Sequence, residues 1–380
     1  FFLPKSNSPL TATSLHPKYT PKMGKRVGTT AVILATAAAA AGVAVVVQKK
    51  YFSKAAKEET KTIEAAATAV TEHTSLKNSA FVFIKPHANT AKAQELVKAK
   101  LIENGITILS ECDITGPEID SKKLIDQHYY AIASKATLLT PDKLPVPAEK
   151  FESEFGEKWS AVLEEKRAVN AMDACERFGV DAAGLNDAWG KAKKVVKFGG
   201  GFYCGLVSVG DKAPLYVFNA FFMSMRSKFV GKDDAIHCYV VEFSADKLSW
   251  DDFRGKVLGP TDPAEAPVGS IRRTILDTYK ELDLKSLPNK GDNGVHASAS
   301  PFEGLAEKAN WLGGSIEEDS FGKALIDAGL TLDTIKEWSV DPQVELPGGG
   351  KGSVFDALED MNADDCLKKL GEINAVNAMI

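Results

Sequence analysis

Cysteine is scarce in this chain of 380 residues, and no two cysteines form a C-x-x-C pair. The absence of such pairs argues against a cysteine zinc site or a dithiol motif. An odd and sparse set is more typical of a reducing compartment than of a disulfide scaffold. We therefore expect the folded body to lie in a reducing compartment. The five cysteines are Cys112, Cys175, Cys204, Cys238 and Cys366.

Acidic residues are absent from the first 57 positions, which carry nine Lys and Arg. The rest of the chain is acidic, because it has 37 Lys and Arg, the total of 46 less these nine, against 51 Asp and Glu. An acidic body argues against general binding of nucleic acid through a basic surface. We therefore expect no nucleic-acid partner, and a change of character near residue 58.

Long apolar runs are absent apart from residues 31–47, which are apolar or small except for one Thr. Two basic residues precede this run and two follow it, and with residues 28–30 it approaches the ~20 residues that span a bilayer. Three interpretations stay open: a membrane anchor with basic flanks, a cleaved signal or transit segment, and a buried core helix. We interpret residues 1–57 as a targeting segment or transmembrane anchor for an unspecified membrane, and residues 58–78 as a linker helix.

The body that follows has the pattern of a mixed α/β protein. Residues 80–86 are too short and too rich in β-branched and aromatic side chains for a helix, so they predict a strand. Thr90 is placed to cap a helix that runs to about Asn104. A second strand at 106–112 and a second helix at 118–133 follow. The order strand–helix–strand–helix predicts an α/β sandwich.

His296 is the residue to which we assign the chemistry. It follows a short polar loop, and Glu307 lies eleven positions later on a predicted helix. A histidine held by a carboxylate is a usable nucleophile near neutral pH, because a neutral imidazole nitrogen can both attack and leave. The alternative is that His296 packs or caps a local element, as many part-buried histidines do.

A second polar segment, residues 259–272, combines Pro and Gly with Thr261 and Arg272. A hydroxyl and a guanidinium from one loop can clamp a polyphosphate, because Arg donates forked hydrogen bonds to phosphate oxygens. The alternative is a surface turn built by the Pro and Gly residues.

Residues 293–300 resemble the active-site signature Asn-x-x-His-Gly-Ser-Asp-Ser of nucleoside diphosphate kinases. Asn293, His296, Ser298 and Ser300 match this signature. The loop at 259–272 is similar to the family pattern Gly-x-Thr-x-Pro-x(6)-Gly-Thr-Ile-Arg without a gap. Further matches to the family are Glu307 and Trp311 on the helix, Lys85-Pro86 at a strand end, and His128-Tyr129 on the second helix.

Four positions depart from the family pattern. His87 stands where the family has Asp, and Gly255 stands where it has Arg, with Arg254 beside it. Ala297 replaces Gly, and Ala299 replaces Asp. Each departure could weaken nucleotide binding, but none removes the nucleophile.

The resemblance implies a ferredoxin-like α/β (α+β) sandwich with a four-stranded antiparallel sheet, formed by residues 79–139 and 214–313. Residues 140–213 are then an inserted helical subdomain, and residues 314–380 a helical C-terminal extension whose glycine run is a flexible linker. The position of the base-stacking aromatic stays open. Simple counting gives Thr137, and looping out the insertion gives Leu215 or Tyr216. The link before His296 is longer than in the family, which leaves a homo-oligomer open.

The resemblance also implies transfer of a γ-phosphoryl group from a nucleoside triphosphate to a diphosphate through a phosphohistidine. Magnesium would accompany ATP, and we expect no separate protein-bound metal. The alternative is a nucleotide-binding, membrane-tethered scaffold of the same fold with weak or no turnover. The implied catalytic residues are His296, Glu307, Tyr129 and Ser298, and the implied nucleotide-binding residues are Lys85, Thr261, Arg272 and Asn293.

Overall fold

The computed structural model describes residues 75–379. The apolar run at 31–47 lies outside these residues, as does most of the predicted linker helix at 58–78. Residues 75–77 are not helical, and a strand has already begun at residue 78. No helix among the described residues is both long enough and apolar enough to cross a membrane.

Strands and helices alternate in residues 75–139, as the sequence predicts. The hydroxyl of Thr90 caps the first helix by accepting from the Ala93 backbone N at 3.1 Å, as predicted. The single helix predicted at 118–133 is wrong, because Lys123 takes a left-handed φ of 56° and Tyr129 leaves helical geometry. The elements are β1 (Asn78–Ile84), α1 (Ala91–Glu103), β2 (Thr107–Thr115), α2 (Gly116–Ser121), α3 (Leu124–His128) and α4 (Tyr130–Ala133), followed by a π-helical turn (Ser134–Leu138).

Residues 140–226 hold a second sheet, so the helical subdomain predicted for 140–213 is wrong in its class. The sheet order is β3-β6-β5-β4, with β3 parallel to β6 and the other pairs antiparallel. The predicted return to the main fold at 214 is also wrong, because β6 belongs to this sheet and α9 packs into the same core. The elements are α5 (Ala148–Phe155), α6 (Trp159–Glu164), β3 (Ala168–Asn170), α7 (Ala171–Phe178), α8 (Ala182–Gly190), β4 (Val195–Gly199), β5 (Phe202–Val207), β6 (Leu215–Phe218) and α9 (Phe221–Arg226).

The first sheet is completed by the segment that follows. All of its pairs are antiparallel, in the order β2-β7-β1-β8. Every residue of β1 is buried, as expected for a central strand covered on both faces. The elements after α9 are β7 (Ala235–Phe243), α10 (Trp250–Asp252), a π-helical turn (Phe253–Leu258), α11 (Ile271–Asp277), β8 (Val295–Ala297) and α12 (Pro301–Leu312).

Strands β2 and β7 are joined by a disulfide between Cys112 and Cys238, which the sparse cysteine pattern did not indicate. The two residues face each other directly in the antiparallel register. They are 126 residues apart in the sequence, so only the pairing of the two strands brings them together. The remaining described cysteines are free.

The C-terminal extension forms its own apolar core, to which α12 contributes Phe302 and Leu305. The glycine run predicted as a flexible linker is instead the turn of a hairpin, in which Leu346 N donates to Gly350 O at 2.9 Å. Its three glycines have φ values of 88° to 104°, a region that favours glycine. The elements are α13 (Ser320–Asp327), α14 (Leu332–Trp338), β9 (Gln343–Glu345), β10 (Lys351–Ser353), α15 (Val354–Leu358) and α16 (Ala363–Asn377).

Helix α12 crosses β1 at very short range, and Gly304 makes this possible. A Cβ added there would lie 2.7 Å from the Ser79 carbonyl oxygen. We expect Gly304→Ala to destabilise the protein by about 1–3 kcal/mol, the cost of overpacking. Gly371→Ala is the matched control, because that helical glycine has open space around it and alanine there should stabilise by roughly 0.5–1 kcal/mol. Urea unfolding of both variants tests this, and equal shifts would contradict the close approach.

Candidate active site

A short strand, a turn and a helix place His296 and Glu307 together. His296 lies on β8, opposite Phe83 of β1. Ser300 then caps α12 by accepting from the Glu303 backbone N at 3.1 Å, and Glu307 follows about two turns into that helix. The imidazole stacks on the Phe83 ring, with centroids 4.7 Å apart and an interplanar angle of 28°. The eleven-residue spacing between His296 and Glu307 therefore brings the two side chains together through one strand, one cap and one helix.

The Glu307 carboxylate is held at both oxygens. Its Oε1 lies 2.6 Å from Nε2 of His296, and its Oε2 accepts from the Ser298 hydroxyl at 2.6 Å. Ser298 is fixed in turn, because its oxygen accepts from the Phe81 backbone N at 2.9 Å. When Glu307 is ionised, it accepts the proton on Nε2 of His296, and the lone pair of the imidazole lies on Nδ1.

Burial dominates the electrostatics of this pair. It lowers the pKa of His296 well below its usual value, and the positive charges of Lys85 and Arg272 lower it further. Burial raises the pKa of Glu307 to about 8, while hydrogen bonds from Ser298 and Glu303 oppose the rise. The imidazole is therefore neutral at pH 7, and both protonation states of Glu307 are accessible near neutral pH.

Next to Tyr129, His128 also adjoins this pair. Its side chain is only 4% exposed, and its Nδ1 lies 3.3 Å from Glu307 Oε1. The Trp311 indole N–H donates to the same Nδ1 at 3.4 Å, and the ring meets that of His296 edge to face at 4.7 Å. Tyr129 packs against His128 at 4.5 Å, and burial raises its pKa. The His-Tyr pair of the sequence lies at this place. The negative charge of Glu307 also acts on the Tyr129 hydroxyl and raises its pKa, and the catalytic role of Tyr129 stays a prediction.

Arg272 binds backbone carbonyls, a use that the sequence did not indicate. Its Nη1 donates to Gly259 O at 2.7 Å, while Nε and Nη2 donate to Val295 O at 3.1 and 2.9 Å. The guanidinium thus ties the 259–272 loop to β8. Thr261 is exposed, and its backbone carbonyl accepts from Asn293. Its clamp on phosphate with Arg272 stays a prediction.

Two further polar groups border His296. Burial, together with the positive charge of Arg272, lowers the pKa of Lys85 to about 8. Asn293 donates from Nδ2 to Thr261 O at 3.0 Å, whereas its buried Oδ1 has no hydrogen-bond partner among the described residues. An unpaired buried acceptor is uncommon. Lys85 and Arg272 therefore lie near His296, Asn293 lies three residues before it with an open buried acceptor, and Thr261 is exposed.

None of the residues proposed for base stacking is available as a platform. Leu215 and Tyr216 lie in β6 of the second sheet, and Tyr216 is buried with its hydroxyl donating to Glu157 at 2.6 Å. Thr137 carries no ring, and its hydroxyl donates to Asp126 at 2.5 Å. None of the three positions therefore offers an exposed aromatic ring.

Two of the departures from the family pattern have a structural explanation. His87 accepts from the Gly294 backbone N through Nε2 at 3.2 Å, so it still fixes the segment before His296. Gly255 has open space around it, while Arg254 is held by Glu359 and Asp360 of the C-terminal extension at 2.9 and 2.5 Å.

The hydrogen bond of His87 predicts a pH effect on stability. Burial lowers its pKa from 6.5 to about 4, so the folded state disfavours the proton. The stabilisation is complete above pH 6.5 and is lost as pH falls from 6.5 towards 4, by at most about 1.4 kcal/mol per pH unit. We expect His87→Gln, which keeps an acceptor but cannot titrate, to lose less stability across this window. Urea unfolding at several pH values checks this, and parallel slopes would contradict it.

Among known proteins, the chain is similar to solved structures only. No protein-family model matches the sequence, and no curated protein matches it. The chain is similar to nucleoside diphosphate kinase from Encephalitozoon cuniculi at 14% identity and a TM-score of 0.32, covering 64% of this chain and 94% of that one. The enzyme from Aquifex aeolicus matches at 14% and 0.31, with coverage of 62% and 95%. The enzyme from Pyrobaculum aerophilum matches at 16% and 0.31, with coverage of 62% and 96%. Similarity at this level assigns no family, so the site's own residues carry the functional conclusion.

Proposed function

We propose that this chain is a phosphotransferase that moves the γ-phosphoryl group of a nucleoside triphosphate to a nucleoside diphosphate through a phosphohistidine at His296. The observation that carries the proposal is the imidazole held 2.6 Å from the buried Glu307, whose second oxygen is fixed by Ser298. A nucleophile oriented by a carboxylate that is itself oriented by a third group is the arrangement that covalent catalysis requires.

The reaction has two balanced halves. Nδ1 of His296 attacks the γ-phosphorus, the bond from that phosphorus to the β–γ bridging oxygen breaks, and the diphosphate leaves. A terminal oxygen of a second nucleoside diphosphate then attacks the phosphorus of the phosphohistidine, the bond from phosphorus to Nδ1 breaks, and a triphosphate and the free imidazole result. Lys85 and Arg272 place positive potential at the imidazole, which favours the polyphosphate and its transition state. The open Oδ1 of Asn293 would accept from a hydroxyl of the substrate.

Magnesium belongs to the substrate in this proposal. Mg²⁺ prefers six oxygen ligands, and the one group of three candidate ligands in residues 75–379 has two imidazoles. The ion would therefore enter on the phosphate oxygens of the nucleotide.

The proposal includes a ferredoxin-like sandwich for the first sheet and the helices that cover it. The strand order β2-β7-β1-β8, antiparallel throughout, supports this assignment. The second sheet and the C-terminal extension lie outside that unit.

Incubating the purified chain with γ-labelled ATP and magnesium tests the proposed function. We expect one phosphate per chain, labile to acid and stable to alkali, as phosphohistidine is. The label should leave on addition of an unlabelled nucleoside diphosphate and appear in triphosphate. Acid-stable label, or none, would refute the proposal.

A nucleotide-binding scaffold is the second candidate. The observation in its favour is that two cations near the site are already engaged. Arg272 binds two backbone carbonyls, and Arg254 binds two carboxylates. A scaffold would bind ATP by calorimetry and take up no label, so the two candidates give different results in one preparation.

A further inference from the structure

Three metal-ligating side chains meet beside β8, an edge strand of the first sheet. His128 comes from the end of α3, His296 from β8 and Glu307 from α12. One donor atom from each lies within 4.8 Å of the others, the one such group of three in residues 75–379. Glu307 Oε1 is 2.6 Å from His296 Nε2 and 3.3 Å from His128 Nδ1.

The separation of His128 from Glu307 matches that of two ligands on a tetrahedral ion. Zinc bonds of about 2.0–2.1 Å to nitrogen and oxygen set neighbouring ligands roughly 3.3 Å apart. The distance from His128 to Glu307 already has this value, and the shorter distance from His296 to Glu307 belongs to a hydrogen bond whose proton the metal would replace. We propose that His128, His296 and Glu307 form a binding site for a divalent transition metal of the zinc class.

The donor set selects among metals. Two imidazoles and one carboxylate suit zinc, and the same set with an open fourth position occurs in catalytic zinc sites. Mg²⁺ and Ca²⁺ are disfavoured because they require oxygen ligands. Water would fill the fourth coordination position of the ion.

The surrounding structure orients the ligands. Ser298 holds Glu307 through Oε2, which leaves Oε1 for the ion. Phe83 stacks on the His296 ring and meets the His128 ring edge to face at 5.7 Å. Fixed partners of this kind raise metal affinity, because the ligands lose little freedom on binding.

Two features oppose the ion and limit its affinity. Lys85 and Arg272 place positive charge near His296, which repels a cation. The Trp311 indole also donates to His128 Nδ1, and that bond must be given up. At 3.4 Å, this hydrogen bond is longer than an ordinary one from an N–H donor, so breaking it costs little free energy. The indole then becomes an intrinsic reporter of occupancy.

Metal binding does not rest on the proposed phosphotransfer. If the chain does both, His296 cannot hold a metal and accept phosphate at the same time. A metal on Nε2 of His296 leaves the ring proton on Nδ1 and removes the nucleophilic lone pair. A chain that binds zinc but never takes up phosphate would support the site and refute the enzyme.

Titration of the metal-free chain with Zn²⁺ by calorimetry, and with Co²⁺ by visible absorption, tests the proposal. We expect one ion per chain and a change in tryptophan fluorescence. His128→Gln and Glu307→Gln should each weaken binding at least about 10-fold, the lower end of what loss of even an outer partner costs. His237→Gln is the matched control, because that histidine also adjoins a carboxylate, Asp113, at 2.8 Å, and it should leave the affinity unchanged.

X-ray absorption of the zinc complex requires no variant, so a folding defect cannot obscure it. Two imidazoles and light oxygen ligands are expected around the ion. A sulfur ligand would overturn the assignment, as would the absence of saturable binding or binding lost in His237→Gln alone.

Discussion

The His296→Asn variant is expected to take up no labelled phosphate from γ-labelled ATP. Asparagine keeps a hydrogen-bonding group near Glu307 but has no nitrogen basic enough to attack phosphorus. The wild-type chain should reach one label per chain under the same conditions. The measurement is acid-labile radioactivity on the chain, separated from free nucleotide before counting.

In the same assay, Glu307→Gln tests how much the carboxylate contributes while the nucleophile His296 is kept. Glutamine fills the same volume and still accepts from His296, but it carries no negative charge to stabilise the imidazole. We expect labelling to slow by roughly 100-fold, the order of loss that small misplacement of reacting groups causes, and still to reach completion. His237→Asn removes a histidine of β7 that does not contact His296 or Glu307 in the hydrogen bonds described above. This variant should label like the wild type.

One outcome would refute the assignment of His296, and the control variant guards against a false one. Undiminished label on His296→Asn would place the nucleophile elsewhere. Label lost equally in His237→Asn would point to a general folding defect. A normal calorimetric affinity for ATP in His296→Asn would show that binding survives and that the lost step is covalent.

The part of the site that could be predicted is the part built from local structure. His296, Ser300 and Glu307 lie within twelve residues, and a strand, a cap and two helical turns fix their geometry. Sequence spacing determines such an arrangement almost completely. Strand β1 was predictable for a similar reason, because an unbroken apolar run has few alternatives to a buried central strand.

Contacts between distant segments could not be predicted. Arg272 was expected to face phosphate from an exposed loop, yet its donors bind Gly259 and Val295 because α11 is buried against β8. The place of His128 in the site was missed for a related reason. Helix α3 ends between His128 and Tyr129, and the sequence does not say that the His128 ring also faces Glu307.

The second sheet was missed because its strands are short and pair over long range. Strand β3 has three residues and is followed directly by the amphipathic helix α7. In the sequence, the helical pattern of α7 therefore hides the strand. Its partner β6 begins 45 residues after β3 ends, and the two run parallel. A three-residue strand carries almost no alternation of its own, so only tertiary pairing defines it.

Asp126→Ala is expected to destabilise the protein by about 3–5 kcal/mol, the cost of removing one partner from a buried ion pair. Both carboxylate oxygens of Asp126 accept from Nε of Arg226 at 3.0 Å. The two side chains are 0% and 6% exposed, so the variant leaves a guanidinium buried with Asp120 as its remaining charged partner. The pair also joins α9, next to the second sheet, to α3, which carries His128.

The measurement is urea unfolding of the full chain, with variants that isolate the charge. Asp126→Asn should fall between wild type and Asp126→Ala, because the amide keeps one acceptor without the charge. The double variant Asp126→Leu with Arg226→Met should recover most of the loss, since a buried ion pair replaced by apolar side chains is often close to neutral. Glu111→Ala removes an exposed partner of Lys98 and should change stability little, because solvent screens exposed ion pairs. A loss for Asp126→Ala as small as that of Glu111→Ala would mean that water reaches Arg226, and the ion pair would then not be what holds α9 to α3.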